Sequence, residues 1–125
     1  MEDYTGVDVL LGMGGAPEAV LAAAALKCIG GEIQCKIWPR DEQERARMLS
    51  EGIDLEQVFT TDDLVKSDDV AFAATGITTG DLLEGVQYFG WGARTHSLMM
   101  RSRSGTVRYI QARHKWRTKP GIVPL

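Results

Sequence analysis

Cysteine is scarce in this chain. Cys28 and Cys35 are its only two, and their spacing fits no metal or redox motif. A disulfide framework would need more of them, so both read as reduced, partly buried residues. Long hydrophobic runs are missing too. The longest, Val20 to Ile29, is interrupted by Lys27, well short of the roughly 18 residues of a membrane span. The opening residues, "MEDYTGVD", are acidic and lack the basic-then-apolar plan of a secretory signal. These absences together predict a cytoplasmic protein with no membrane partner. Internal repeats and low-complexity tracts are also lacking.

Acidic residues are absent from the whole last third. All 17 Asp and Glu lie between Glu2 and Glu84, where six cations leave a net charge of −11. From Gly85 onward there are eight Lys and Arg and no carboxylate. The overall charge of −3 hides this split. It implies either internal pairing of the two parts or an anionic partner for the basic end. Internal pairing is the favoured reading. Nucleic acid is disfavoured, because aromatic residues are not interleaved as stacking platforms and the total charge is negative.

What is present is the composition of one ordinary globular domain: 125 residues, 44% hydrophobic and 25% charged. Val7 to Met13, "VDVLLGM", reads as a buried strand. Pro17 suits the first turn of a helix that runs to about Cys28 and stops at Gly30-Gly31. Alternation of Ile33, Cys35 and Ile37 predicts a strand over Glu32 to Trp38, ended by Pro39. Asp41 with Glu44 predicts a capped helix stopped by Gly52. Val58-Phe59 is a short strand candidate, and Thr61 to Leu64 opens another short helix. Val70 to Gly76 is a further strand, and Asp81 to Glu84 reads as one helical turn. The arms around Ser102 to Gly105 predict an antiparallel hairpin. The expected class is α/β, a mixed sheet with flanking helices. The tail from Lys115 to Leu125 is basic and is expected to be partly disordered.

Ligands in such folds favour loops at strand ends, here Gly12 to Glu18 and Thr75 to Gly80. Two nucleotide motifs fail at the first of these. In the dinucleotide fingerprint counted from Gly12, the last glycine is replaced by Pro17, and the Gly-Lys-Ser/Thr of a phosphate loop is absent. What remains is a carboxylate, Glu18, in the first turn of a helix. It offsets the helix dipole there. The alternative role is to hold a divalent cation, with the backbone N–H groups of Gly14 and Gly15 open to substrate oxygens.

The stretches "VDVLLGMGGAPEAVLAAAALKCIGGEIQ", "TTDDL", "ATGITTGDLLEGV" and "ARTHSLMMRSRSGTVRYI" resemble the C-terminal portion of class II fructose-1,6-bisphosphatases of the GlpX type. The resemblance runs from about Val7 to His114. It implies the lithium-sensitive sugar phosphatase fold, with residues 1–114 as the C-terminal α/β portion. It also implies Mn²⁺- or Mg²⁺-dependent removal of the 1-phosphate of fructose 1,6-bisphosphate, in gluconeogenesis or the Calvin cycle. Sedoheptulose 1,7-bisphosphate is a further substrate in photosynthetic members. A homo-oligomer is expected.

By the same resemblance, Gly15 matches a substrate-binding glycine and Glu18 a metal-binding carboxylate. Ala19 and Trp91 stand where such sequences commonly carry glycine. The family's other metal carboxylates and its catalytic residues belong to an N-terminal portion not found here, which makes that portion an expected partner. Met1 is read as an internal methionine of a longer protein. No catalytic residue is assigned, and the chain alone is expected to be inactive.

Several other residues attract a functional reading and have a simpler one. His96 and His114 have no second ligand at metal spacing, so His96 is expected to be a hydrogen-bonded structural residue and His114 solvated. Asp62-Asp63 is expected to cap a helix and Asp68-Asp69 to sit in a solvated turn. Thr75, Gly76 and Thr78 are candidates for the same cleft as Glu18. Arg94 and Arg101 are candidates for a phosphate or for internal pairing. The contrasting class is a non-catalytic module, either a basic hairpin for binding or a piece that completes an oligomer.

Overall fold

The computed structural model describes residue 6 and residues 8–116. Helix α1, Ala16–Ile29, starts after Gly15 with Pro17 in its first turn. It ends where Gly30 turns left-handed, φ 75°, with its N–H donating to the Leu26 carbonyl. Asp41 caps α2, Glu42–Ser50, by accepting from the Glu44 N–H, while the Glu44 carboxylate accepts from Arg40 N–H. A third short helix, α3, Thr61–Leu64, carries a complete capping box between Thr60 and Asp63. The Thr60 N–H and hydroxyl both donate to Asp63, and these bonds hold its carboxyl below the usual range.

The strands are β1 (Gln34–Cys35), β2 (Phe59–Thr60), β3 (Ala71–Thr75), β4 (Gln87–Phe89), β5 (Gly92–Arg101) and β6 (Thr106–Lys115). β1 and β2 form a two-stranded ladder. The other four form one sheet built on β5. β6 pairs with β5 over all ten positions, from Gly92↔Lys115 to Arg101↔Thr106. The other edge of β5 is shared, with β4 along Gly92 to Arg94 and β3 along Ser97 to Arg101. Every pairing among the described residues is antiparallel. The α/β class holds, but the mixed sheet expected from the element order does not appear within these residues. A parallel pair needs a crossover between two strands of one sheet. Here the strand expected before α1 is unpaired, and β1 pairs only with β2.

That strand, Val7 to Met13, is the main correction. Its described residues form no strand, and Val9, Leu10, Leu11 and Met13 are 75–90% exposed. A strand exists only through a ladder, and no described strand lies beside it. The Glu32–Trp38 expectation shrinks to two ladder residues. Its alternation nevertheless survives, with Ile33, Cys35 and Ile37 half-buried and Gln34, Lys36 and Trp38 exposed. Asp81 to Glu84 is not helical. Gly80 N–H donates to the Leu83 carbonyl, a tight bend whose bond runs opposite to a helical one, in which the N–H lies C-terminal to its carbonyl. Strand β4, joined to β5 through Gly90-Trp91, was not anticipated. The expected tail begins inside the fold: Lys115 closes β6 against Gly92, and the Trp116 ring stacks on Tyr88 at 6.4 Å. Residues 117–125 lie outside the described ones.

The core sits between α1 and one face of the four-stranded sheet. Cys28 of α1, Leu98 and Met100 of β5, and Leu83 from the loop before β4 are buried together. Ala25, Phe72, Ala74 and Val107 pack around them. The alanine run lets α1 lie close to the strands. On the opposite face Met99 and Ile110 stay exposed.

Charge pairing ties the acidic and basic parts together. Arg101 grips Asp69 with two hydrogen bonds, 2.9 and 2.8 Å, and Arg103 approaches the same carboxylate at 3.8 Å. The half-buried Lys27 amine reaches Asp62 at 2.7 Å, the Val65 carbonyl at 2.9 Å and Asp68 at 3.3 Å. Asp68 and Asp69 are therefore ion-paired, not simply solvated, because cations from α1 and β5 converge on their turn.

The Arg101 guanidinium holds the Asp69 carboxyl below the usual range. A depressed carboxyl stabilises the fold at pH values above about 4, the unfolded value, and that stability is lost as pH falls through the folded value. Replacing Asp69 by Asn should therefore lower Tm at pH 7. It should also flatten the decline of Tm between pH 5 and pH 3, as read by circular dichroism.

Candidate functional site

In the glycine-rich segment before α1, Gly12, Gly14 and Gly15 are exposed. Gly15 is the N-cap, extended at φ −73°, ψ 163°, and no side chain caps the helix. Its carbonyl accepts from Ala19 N–H at 3.1 Å. First-turn N–H groups of a helix have no intrahelical partner and carry the positive end of its dipole. Glu18 stands in that first turn, and its carboxylate folds back over the Gly15 Cα. A Cβ at position 15 would run into Glu18 Oε2. The contact alone does not demand glycine, because the tip of an exposed, flexible carboxylate can swing aside. The sequence suggested an open approach at Gly15 but gave no sign of this contact.

The carboxylate is a hard oxygen donor, suited to Mg²⁺ or Mn²⁺. A cation site needs several such donors. No group of three or more His, Cys, Asp or Glu among the described residues is arranged to hold a metal ion. The donor type fits, but the donor set does not, so these residues do not hold a metal by themselves.

Of the other candidates, none is hydrogen-bonded or ion-paired to Glu18 among the described residues. The Thr75 hydroxyl shares a 2.8 Å bond with Ser97, and Gly76 N–H donates to the His96 carbonyl at 3.0 Å. Among the described residues, no bond of the Thr78 side chain draws it towards Glu18. His96 is the structural residue expected of it. Its Nδ1 accepts from the Glu84 N–H at 3.1 Å, and its ring leans on Tyr109. His114 is not solvated. It lies in β6, half-buried, with Nε2 at 2.9 Å from the Thr95 hydroxyl. Arg94 lies over the Phe89 ring and reaches Gln87, while Arg101 is committed to Asp69.

A cleft of about 420 Å³ does exist, at the other end of α1, lined by Lys27, Gly30, Gly31, Glu32, Thr61 and Asp62 among others. At 1.5 Å per residue along α1, its lining begins about 14 Å from Glu18 at Lys27 and reaches about 18 Å at Gly30. Hydrogen bonding to Asp62 raises the Lys27 amine above its ordinary value, so it stays charged and already paired. The cleft's lining cation is already paired, and the hydroxyls of Thr60 and Thr61 are engaged by Asp63 and by the Ile33 backbone. The first turn of α1 remains the candidate site.

The sequence pattern of the bacterial, glpX-encoded fructose-1,6-bisphosphatases matches residues 1–114. A protein of Synechococcus sp. (strain JA-3-3Ab), named D-fructose 1,6-bisphosphatase class 2/sedoheptulose 1,7-bisphosphatase, is 41% identical over 123 residues. That match takes in 88% of this chain and 35% of the relative. The fructose-1,6-bisphosphatase class 2 of Haemophilus influenzae is 40% identical over 121 residues, 86% of this chain and 36% of that protein. The chain thus spans about a third of the length of these curated relatives. No helix among the described residues is long and apolar enough to cross a membrane.

Proposed function

The chain belongs to the glpX-encoded bacterial fructose-1,6-bisphosphatase family, and from that premise we propose that residues 1–114 are the C-terminal portion of a cytoplasmic, homo-oligomeric sugar bisphosphatase. The reaction consumes water and fructose 1,6-bisphosphate and yields fructose 6-phosphate and inorganic phosphate. Sedoheptulose 1,7-bisphosphate is a second substrate, a reading supported by the name of the Synechococcus relative.

The observation that carries the proposal is the Glu18 carboxylate, held over Gly15 at an exposed, uncapped helix start. In this reading Glu18 supplies one oxygen ligand to Mn²⁺ or Mg²⁺. The Gly14 and Gly15 backbone lets a sugar phosphate approach without a side chain in the way. A bound divalent ion contributes water activation and neutralises phosphate charge. The remaining ligands come from the portion that relatives carry and this chain does not. Exposed Val9, Leu10, Leu11 and Met13 then have strands to pair with.

Phosphate release tests this directly. With fructose 1,6-bisphosphate and Mn²⁺, the chain alone should stay at background. Joined behind the missing two-thirds of the Haemophilus influenzae relative, it should turn over. Robust release by the chain alone would defeat the proposal.

A further inference from the structure

The loop of residues 76–86 is closed on itself and pinned to β5. Val86 N–H donates to the Ile77 carbonyl at 3.1 Å, and Gly85 N–H donates to the Thr79 hydroxyl at 3.0 Å. Leu83 plugs into the core, while Ile77 and Leu82 remain exposed, 75% and 55%. The loop leaves the sheet in the gap between β3 and β4, opposite Thr95 and His96, where no strand pairs with that edge of β5. His96 fills this gap from both ends of the residue. Its carbonyl accepts from Gly76 N–H at 3.0 Å, and its Nδ1 accepts from Glu84 N–H at 3.1 Å.

A backbone N–H can only donate. Nδ1 must therefore be the unprotonated nitrogen, and the ring is neutral with its proton on Nε2. Protonation turns Nδ1 into a donor and sets it against the Glu84 N–H. We propose that His96 is a pH-sensitive clamp on loop 76–86, which holds the Glu84 amide while neutral and releases it when protonated. The charged or titratable groups around the ring are the Glu84 carboxyl of the loop, Arg94 on β5, and Arg113 and the Tyr109 phenol on β6. Helix α1 carries its charges at its two ends, Glu18 and Lys27. The proposal does not depend on the phosphatase reading.

Amide exchange by NMR on the full chain tests it, with each rate divided by its random-coil rate at the same pH. Protection of the Glu84 amide should fall about fivefold, the weight of one ordinary hydrogen bond, in step with the His96 Cε1–H shift. The Gly76 amide, bonded to a carbonyl that does not titrate, should stay protected. In His96→Asn an amide oxygen replaces Nδ1, and Glu84 protection should no longer depend on pH. In His96→Ala it should be low throughout. Constant Glu84 protection in the wild type while the ring titrates would overturn the clamp, as would parallel loss at Gly76. A pH-dependent fall that persists in His96→Asn would also overturn it. If His96→Asn does not fold, the wild-type comparison of Glu84 with Gly76 decides alone.

Discussion

Replacing Glu18 by Ala in the joined protein should lower phosphate release about a hundredfold or more, with an apparent Mn²⁺ affinity reduced to match. Even groups that only orient a metal ligand carry 10- to 100-fold in affinity or activity, and a ligand should carry at least that. The substitution leaves α1 intact. Alanine is the best helix former, and losing one favourable charge–dipole interaction at an exposed first turn costs only about 0.3–1 kcal/mol. Activity and stability therefore separate. If Glu18 merely offset the helix dipole, Tm would drop slightly and metal affinity would be unchanged. That outcome would favour a piece that only completes an oligomer. Glu18→Gln sharpens the comparison, since it keeps the side-chain length and removes the charge.

The second large effect is on folding. Gly92→Ala should destabilise the chain by about 3 kcal/mol or more, the upper end for an overpacked site. A Cβ at Gly92 would run into the His114 carbonyl on β6, and backbone cannot swing aside as a side-chain tip can. The whole ladder from Gly92↔Lys115 to Arg101↔Thr106 would have to shift or fray at this end. Gly105→Ala is the control. Its φ is +58° with no heavy atom within 4 Å of the added methyl, so only the left-handed backbone cost of about 1–2 kcal/mol applies. Urea midpoints of the two variants should differ clearly. Equal losses would mean that the close approach of the strands at Gly92 is relaxed in solution.

Local chemistry made much of this architecture readable. The stop at Gly30, the caps at Asp41 and Asp63, and the tight turn before Gly105 each depend on bonds within a few residues. Ladder lengths depend on partners far along the chain, and those expectations failed. Alternation at Ile33, Cys35 and Ile37 reported which side was buried, but not that only two residues would pair. Val9 to Met13 had the apolar content of a buried strand and no strand beside it. Gly90-Trp91 offered a turn signal, but Gln87 to Phe89 was too short to stand out. At the candidate site, the place of Glu18 in the first turn of α1 was legible from Pro17 and the glycines before it. The closeness of that carboxylate to Gly15 was not, because it arises from a side chain folding back by one turn. Charge segregation along the sequence implied internal pairing, and Arg101 does pair with the acidic part, but through Asp69, which local reading had placed in a solvated turn. It could not specify that Arg94 would turn to Phe89 instead.

The arrangement of β5 has a kinetic consequence. Its ten-residue pairing with β6 closes through a turn of a few residues, and hairpins of this kind form in microseconds. Its pairing with β3 spans more than twenty residues, and docking of α1 spans about seventy. Contacts so distant in sequence are slow to find. The hairpin is thus the natural nucleus. β4 and β3 would add along its free edge, and α1 would close the core last. Substitutions in β5 and β6 should then slow folding, while those in α1 should chiefly hasten unfolding.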